Sequence, residues 1–163
     1  MSTNNQANVL RQTLSNIWHI ATNPKFYVIV IIALLLIVLG NLYMKQVQAK
    51  MKITLLNIDG LEIDWWSVTH IILYIYFGYF FPNYFVEFFI IGVIWELFES
   101  FFCQESVSKL LGCHKSEHIW CRGLKKVNSC DYWYGKIDDL AMNSIGFIIG
   151  MQLARWKTKK QSN

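Results

Sequence analysis

Charge is what this chain has least of. Only 16% of its 163 residues are Asp, Glu, Lys or Arg, against 54% hydrophobic ones. That leaves too little polar surface to wrap a soluble domain of this size, and the length suits a single domain. Proline is scarce as well: Pro24 and Pro82 are the only two, and each falls at the limit of an apolar stretch. Internal repeats and low-complexity tracts are lacking. No small-residue cleavage site follows the first apolar stretch, so we expect no secretory signal. No basic cluster sits on a soluble fold, and the net charge of +4 suits anionic lipid headgroups rather than nucleic acid.

What the chain has in quantity is apolar helix and aromatic side chains. Its 7 Trp, 8 Tyr and 11 Phe include many rings suited to a membrane–water boundary. Residues 26–43 hold no ionisable group and predict the plainest transmembrane helix. Three further apolar stretches follow at 65–81, 84–102 and 138–156. The expected fold is therefore all-α: an integral membrane bundle of about four transmembrane helices. Residues 1–25 place Leu10, Leu14, Ile17, Trp18 and Ala21 at helical spacing. They read either as an amphipathic helix on the membrane surface or as a partly ordered tail. Residues 44–64 form a polar connector with a turn at 57–60, 103–137 a Cys-rich loop, and 157–163 a basic tail.

The polar residues inside these helices share a depth. A buried ionisable group costs roughly 2.5–3.5 kcal/mol on insertion scales, so such groups usually mark function. His70 lies about 7.5 Å into its helix at about 1.5 Å per residue. Glu96 and Glu99 lie near the end of the next one, and Asp138 and Asp139 open the last. Antiparallel connectivity brings all of these to one side. Glu96 and Glu99, spaced i,i+3, share a face with Gly92. Asp139, Asn143, Gly146 and Gly150 form a stripe, the glycines spaced for close helix approach. Carboxylates, an amide and loop oxygens together suit a hard cation such as Ca²⁺ or Mg²⁺. Such a cation would bind and polarise a lipid phosphate, with His70 as proton acceptor or nucleophile. The bland alternative is a hydrogen-bond network that glues helices together. Glu87, on the opposite face from Glu96, reads as an interfacial residue.

Orientation has two opposed signals. The long loops carry nine of the 15 Lys and Arg residues and the other side six, which points those loops to the cytosol. Four cysteines in one loop, Cys103, Cys113, Cys121 and Cys130, point to an oxidising lumen and two disulfides. The lumenal placement is our expectation. A structural zinc on Cys113, His118, Cys121 and Cys130 is an alternative, and free thiols are another.

The string Trp95-Glu96-Leu97-Phe98-Glu99-Ser100-Phe101-Phe102 resembles the W-E-L-x-E-x-F-F segment of eukaryotic base-exchange phosphatidylserine synthases. Trp66 and His70 resemble the family's helix that bears its essential histidine. Asp138 with Asn143 and the Gly-rich run after it resembles its D-x4-N helix. The match covers residues 62–156, although known members are several times longer. The resemblance implies an endoplasmic-reticulum enzyme that uses Ca²⁺ to swap the headgroup of phosphatidylcholine or phosphatidylethanolamine for L-serine. It gives His70 the chemistry, Glu96 and Glu99 metal or phosphate binding, and Asp138 and Asn143 a supporting role. Asp131 is the one acid available where the family has further acidic ligands. Family spacing favours Asp138 and helical geometry Asp139. A second, weaker likeness runs from Asp139 through Asn143 to Gly146, similar to the D-x3-N-x2-G helix of VanZ-like membrane proteins; it implies a non-catalytic module that binds a lipid headgroup or a partner helix. Homo-oligomerisation stays open. The CDP-alcohol phosphotransferase and phospholipase D signatures are missing: Leu61-Glu62 follows Asp59-Gly60, and Lys115 directly follows His114.

Overall fold

The structure, a computed structural model, describes residues 3–58, 61–116, 118, 121, 124 and 136–161. Its elements in chain order are α1 (Thr3–Ala21), α2 (Pro24–Leu42), α3 (Met44–Met51), β1 (Thr54–Ile58), β2 (Leu61–Asp64), α4 (Trp65–Phe80), α5 (Phe85–Phe102), α6 (Glu105–Leu110) and α7 (Ile137–Gln161). The chain is mostly helical, as its composition predicts.

Local chemistry sets the helix limits. The Asn23 side chain accepts the Lys25 N–H and Pro24 takes the first helical position of α2, where a missing N–H costs nothing. Asp64 and Ser67 form a reciprocal capping box at the start of α4. Helix α2 is long and apolar enough to cross a membrane by length and composition; of its residues only Gly40 is buried. Helix α4 is shorter, at 16 residues. Helix α5 carries three glutamates, and α7 begins with two acids and ends with two lysines.

The tightest seam runs between α4 and α7. A Cβ placed on Gly78 would strike the Phe147 carbonyl, one on Gly146 the Ile71 carbonyl, and one on Gly150 the Ile75 carbonyl. Those three hydrogens let two backbones touch. Away from the polar end an aromatic core fills the bundle. It comprises Ile20, Tyr74, Phe77, Phe81, Phe88 and Phe147, with Phe77 and Phe88 stacked at 4.4 Å between centroids.

Several expectations are corrected. The connector 44–64 is an α-helix followed by an antiparallel hairpin, β1 pairing β2. The last helix runs on through the basic tail to Gln161, because Lys157, Lys159 and Lys160 are good helix formers facing water. The spacing of Leu10, Leu14, Ile17, Trp18 and Ala21 does form a helix, α1, and this helix also docks on the other helices. Ile20 of α1 is buried in the aromatic core, and Asn16 Nδ2 donates to Glu87 Oε1 at 2.6 Å. Glu87 is accordingly buried; a buried carboxylate needs a donor, and α1 supplies it.

In the Cys-rich loop, Cys113 and Cys121 are joined by a disulfide and Cys103 is also oxidised. The disulfide consumes two of the sulfurs that a zinc site would use, so that alternative fails. Cys130 and Asp131 lie outside the described residues.

Candidate functional site

Three helices deliver the site. Helix α4 carries Ser67 and His70 on the face toward α7. Helix α5 contributes Glu96, one turn beyond Gly92. Helix α7 contributes Asp139 and Asn143, one turn apart. The Gly146–Ile71 approach sets the separation of α4 and α7, and so holds His70 against Asn143.

His70 Nδ1 lies 3.0 Å from Asn143 Oδ1. With the amide oxygen as acceptor, Nδ1 carries a ring hydrogen, and in the neutral imidazole Nε2 then has the lone pair. Nε2 stands 4.0 Å from Asp139 Oδ2. The other Asp139 oxygen accepts from Ser67 Oγ at 3.2 Å. Glu96 Oε2 accepts the Lys136 backbone N–H at 2.9 Å, while its Oε1 is buried and has no hydrogen-bond partner. Among the described residues, His70, Glu96 and Asp139 bring one ligand atom each within 4.8 Å of one another. Glu96, Asp139 and Asn143 are all buried, at 7%, 3% and 3% exposure.

Other candidates fall around this centre. Glu99 gives Oε1 to the Trp95 indole N–H at 3.0 Å and does not join the three-residue group. Asp138 points to the hairpin, where its Oδ2 accepts the Glu62 N–H at 3.4 Å. Asp139, not Asp138, is the acid beside His70, because successive helical residues point about 100° apart. Family spacing favoured Asp138, and the rotation of α7 against α4 turns it outward.

Two participants escaped the sequence reading. Asp64 caps α4 through the Ser67 N–H at 2.9 Å, and its other oxygen takes Lys136 Nζ at 3.0 Å. Burial pushes the Asp64 carboxyl up, but the Ser67 hydrogen bonds and Lys136 outweigh it and hold the group below the usual carboxylate range. Burial likewise pulls Lys136 down, and Asp64 overcomes that to leave the ammonium above the ordinary lysine value. The Asp64-x-x-Ser67 capping pattern ahead of an apolar run was a usable signal; nothing local marks Lys136.

A shallow groove adjoins the site. Phe85, Phe89, Leu140 and Phe147 line it, with Asn143 and Tyr74 at its polar end.

Chemically, the centre offers one imidazole nitrogen and two carboxylates. The unpartnered Glu96 oxygen is an acceptor that a cation would satisfy. Calcium, implied by the resemblance, takes six to eight oxygen ligands; the described donors do not form such a cage. His70 Nε2 can accept a proton or bind a metal, but not both at once.

Comparison with family models, with curated proteins and with solved structures returned no match.

Proposed function

We propose that α2, α4, α5 and α7 all cross a membrane and that the His70–Glu96–Asp139 centre acts on a phospholipid headgroup, replacing choline or ethanolamine with L-serine. The observation that carries this reading is the convergence of three ionisable side chains from three helices, Glu96 and Asp139 buried and His70 half-buried. Such groups are expensive in lipid and are retained for function.

The reaction is a phosphatidyl transfer. The P–O bond to choline or ethanolamine breaks, a P–O bond to the serine hydroxyl forms, and the hydroxyl proton ends on the departing alcohol. Two carboxylates facing an anionic phosphodiester repel it. A cation held by His70, Glu96 and Asp139 would reverse that sign and polarise phosphorus. Asn143 and Ser67 keep His70 and Asp139 in position by the hydrogen bonds described above.

The test is direct. Purified protein in phosphatidylcholine/phosphatidylethanolamine micelles should convert labelled serine into labelled lipid. Absence of labelled lipid under every divalent cation tried would refute the exchange.

A second reading has one observation of its own. The acid that meets His70 is Asp139, in the D-x3-N-x2-G register similar to VanZ-like proteins, not Asp138 in the synthase register. It makes the chain a non-catalytic headgroup-binding module. Saturable binding of phospholipid to the centre, lost in Asp139→Asn and unaccompanied by serine incorporation, would favour it.

A further inference from the structure

We infer that the His70–Glu96–Asp139 centre is a binding site for one first-row transition-metal dication, Mn²⁺ or Zn²⁺, and not for Ca²⁺. The inference deepens the reading of this site but depends on its donor geometry alone, whichever reaction the site performs.

Four observations converge. The donors are mixed: an imidazole nitrogen with two carboxylates. That set suits Zn²⁺, Mn²⁺ and their neighbours, whereas Ca²⁺ is held by oxygen. The spacing is close to what one ion needs. Metal–ligand bonds of about 2.0–2.2 Å set three ligand atoms of one ion at most about 3.8 Å from one another. The three atoms lie within 4.8 Å, so about an ångström of closure completes the set.

The third observation is the orphaned oxygen. Glu96 is 93% buried, being 7% exposed, and its Oε1 has no partner while Oε2 is bound by Lys136. A buried carboxylate oxygen left unpaired is costly, and a cation removes the cost.

The fourth is the support behind each ligand. Metal-bound histidines donate their other ring N–H to an oxygen, which fixes the tautomer and turns the free nitrogen to the metal. His70 does this through Nδ1 to Asn143. Asp139 is held by Ser67 and Glu96 by the Lys136 backbone. Each of the three ligands therefore has one group orienting it and one atom free. With Nε2 spent on the ion, His70 is a ligand and not the proton acceptor that the sequence suggests.

The experiment uses the full chain in detergent, stripped with chelator and then offered Mn²⁺, Zn²⁺ or Ca²⁺ separately. Bound metal is counted by mass spectrometry after gel filtration, and Mn²⁺ is followed by electron paramagnetic resonance. One Mn²⁺ or Zn²⁺ per chain is expected, and excess Ca²⁺ should not displace it. Asn143→Leu should weaken Mn²⁺ binding about 10–100-fold, and Glu96→Gln at least as much. His70→Cys, loaded with Co²⁺, should show a thiolate-to-cobalt charge-transfer band, which a purely structural histidine position could not produce. Stoichiometric Ca²⁺ that displaces Mn²⁺, a chain that retains no metal, or a Co²⁺-loaded His70→Cys protein without that band would each overturn the inference. Serine exchange and metal content are read separately. Metal without exchange defeats the proposed reaction alone, and exchange supported by Ca²⁺ alone defeats this inference alone.

Discussion

The two ends of the helix bundle are built on opposite principles. At one end hydrogen bonds with strict geometry join Ser67 to Asp139, His70 to Asn143 and Glu96 to the Lys136 backbone. At the other, Ile20, Phe77, Phe81, Phe88 and Phe147 meet through packed surfaces. Helices α4 and α7 run through both, and the glycine seam between them belongs to neither. The aromatic end can absorb small shifts because dispersion contacts are many and individually weak. The polar end cannot, because a buried hydrogen bond or ligand atom displaced by an ångström is lost outright. Stability should therefore reside in the aromatic end and the seam, and function in the polar end.

The sharpest way to break that division is at His70. His70→Ala should reduce serine exchange by at least about 100-fold, the scale of a lost catalytic polar group. Thermal unfolding in detergent should move little, since the mutation removes one part-buried hydrogen bond worth about 1 kcal/mol. A mutant that unfolds as readily as it loses activity would make the histidine a packing residue, and the contrast between the ends would fail.

The seam supplies the converse. Gly150→Leu should destabilise the protein by about 1–3 kcal/mol, the usual cost of overpacking, because its side chain must push Ile75 and Tyr79 away. The remaining folded fraction should still bind metal at His70, which lies level with Asn143, about two helical turns from Gly150 along α7. Unfolding measured by tryptophan fluorescence, with metal content measured on the folded fraction, checks both parts. An unchanged melting temperature would show that α4 and α7 do not depend on their close approach.

A smaller effect is expected at Asp64, buried beneath Lys136 at the edge of the polar end. Asp64→Asn keeps a good helix cap but removes the ion pair with Lys136. The expected loss is about 1 kcal/mol at neutral pH. Its pH dependence has a definite sign. Asp64 is depressed in the folded chain, so its contribution is complete above the ordinary aspartate value and fades as pH falls through the folded value. Lys136 is raised, so its share is complete below the ordinary lysine value and fades as pH rises through the folded one. Wild type minus Asp64→Asn should thus give a stability difference that is level between those limits and shrinks at both extremes. A difference that grows toward acid would contradict the assignment.

Much of this was legible before any tertiary structure. The lack of ionisable groups in residues 26–43 marks α2, and the helix limits at Pro24 and Pro82 follow from backbone chemistry. The common depth of His70, Glu96 and Asp139 follows from antiparallel connectivity alone. The stripe Asp139–Asn143–Gly146–Gly150 follows from helical periodicity. The β-hairpin was less legible, because Leu55, Leu56 and Ile58 sit in a segment whose charges and turn residues dominate its pattern. The docking of α1 was not legible: the helical spacing of Leu10, Leu14, Ile17, Trp18 and Ala21 is equally compatible with a lipid surface and a protein one.

The sequence by itself determined the apolar helices, the start of α2 and the turn after α4, and the depth of the polar groups, because each depends on residues within a few turns of one another. Tertiary structure decided which of those groups meet. The axial rotation of α7 against α4, set where the Gly146 and Gly150 hydrogens touch the Ile71 and Ile75 carbonyls, turned Asp139 inward and Asp138 outward. The placement of α5 brought Glu96 into the centre and left Glu99 with Trp95. The return of the chain at Lys136 closed the site over Asp64 and Glu96. Rotation, placement and closure are relations between elements far apart in sequence. Local propensity carries no information about them, and the packing of backbone against backbone does.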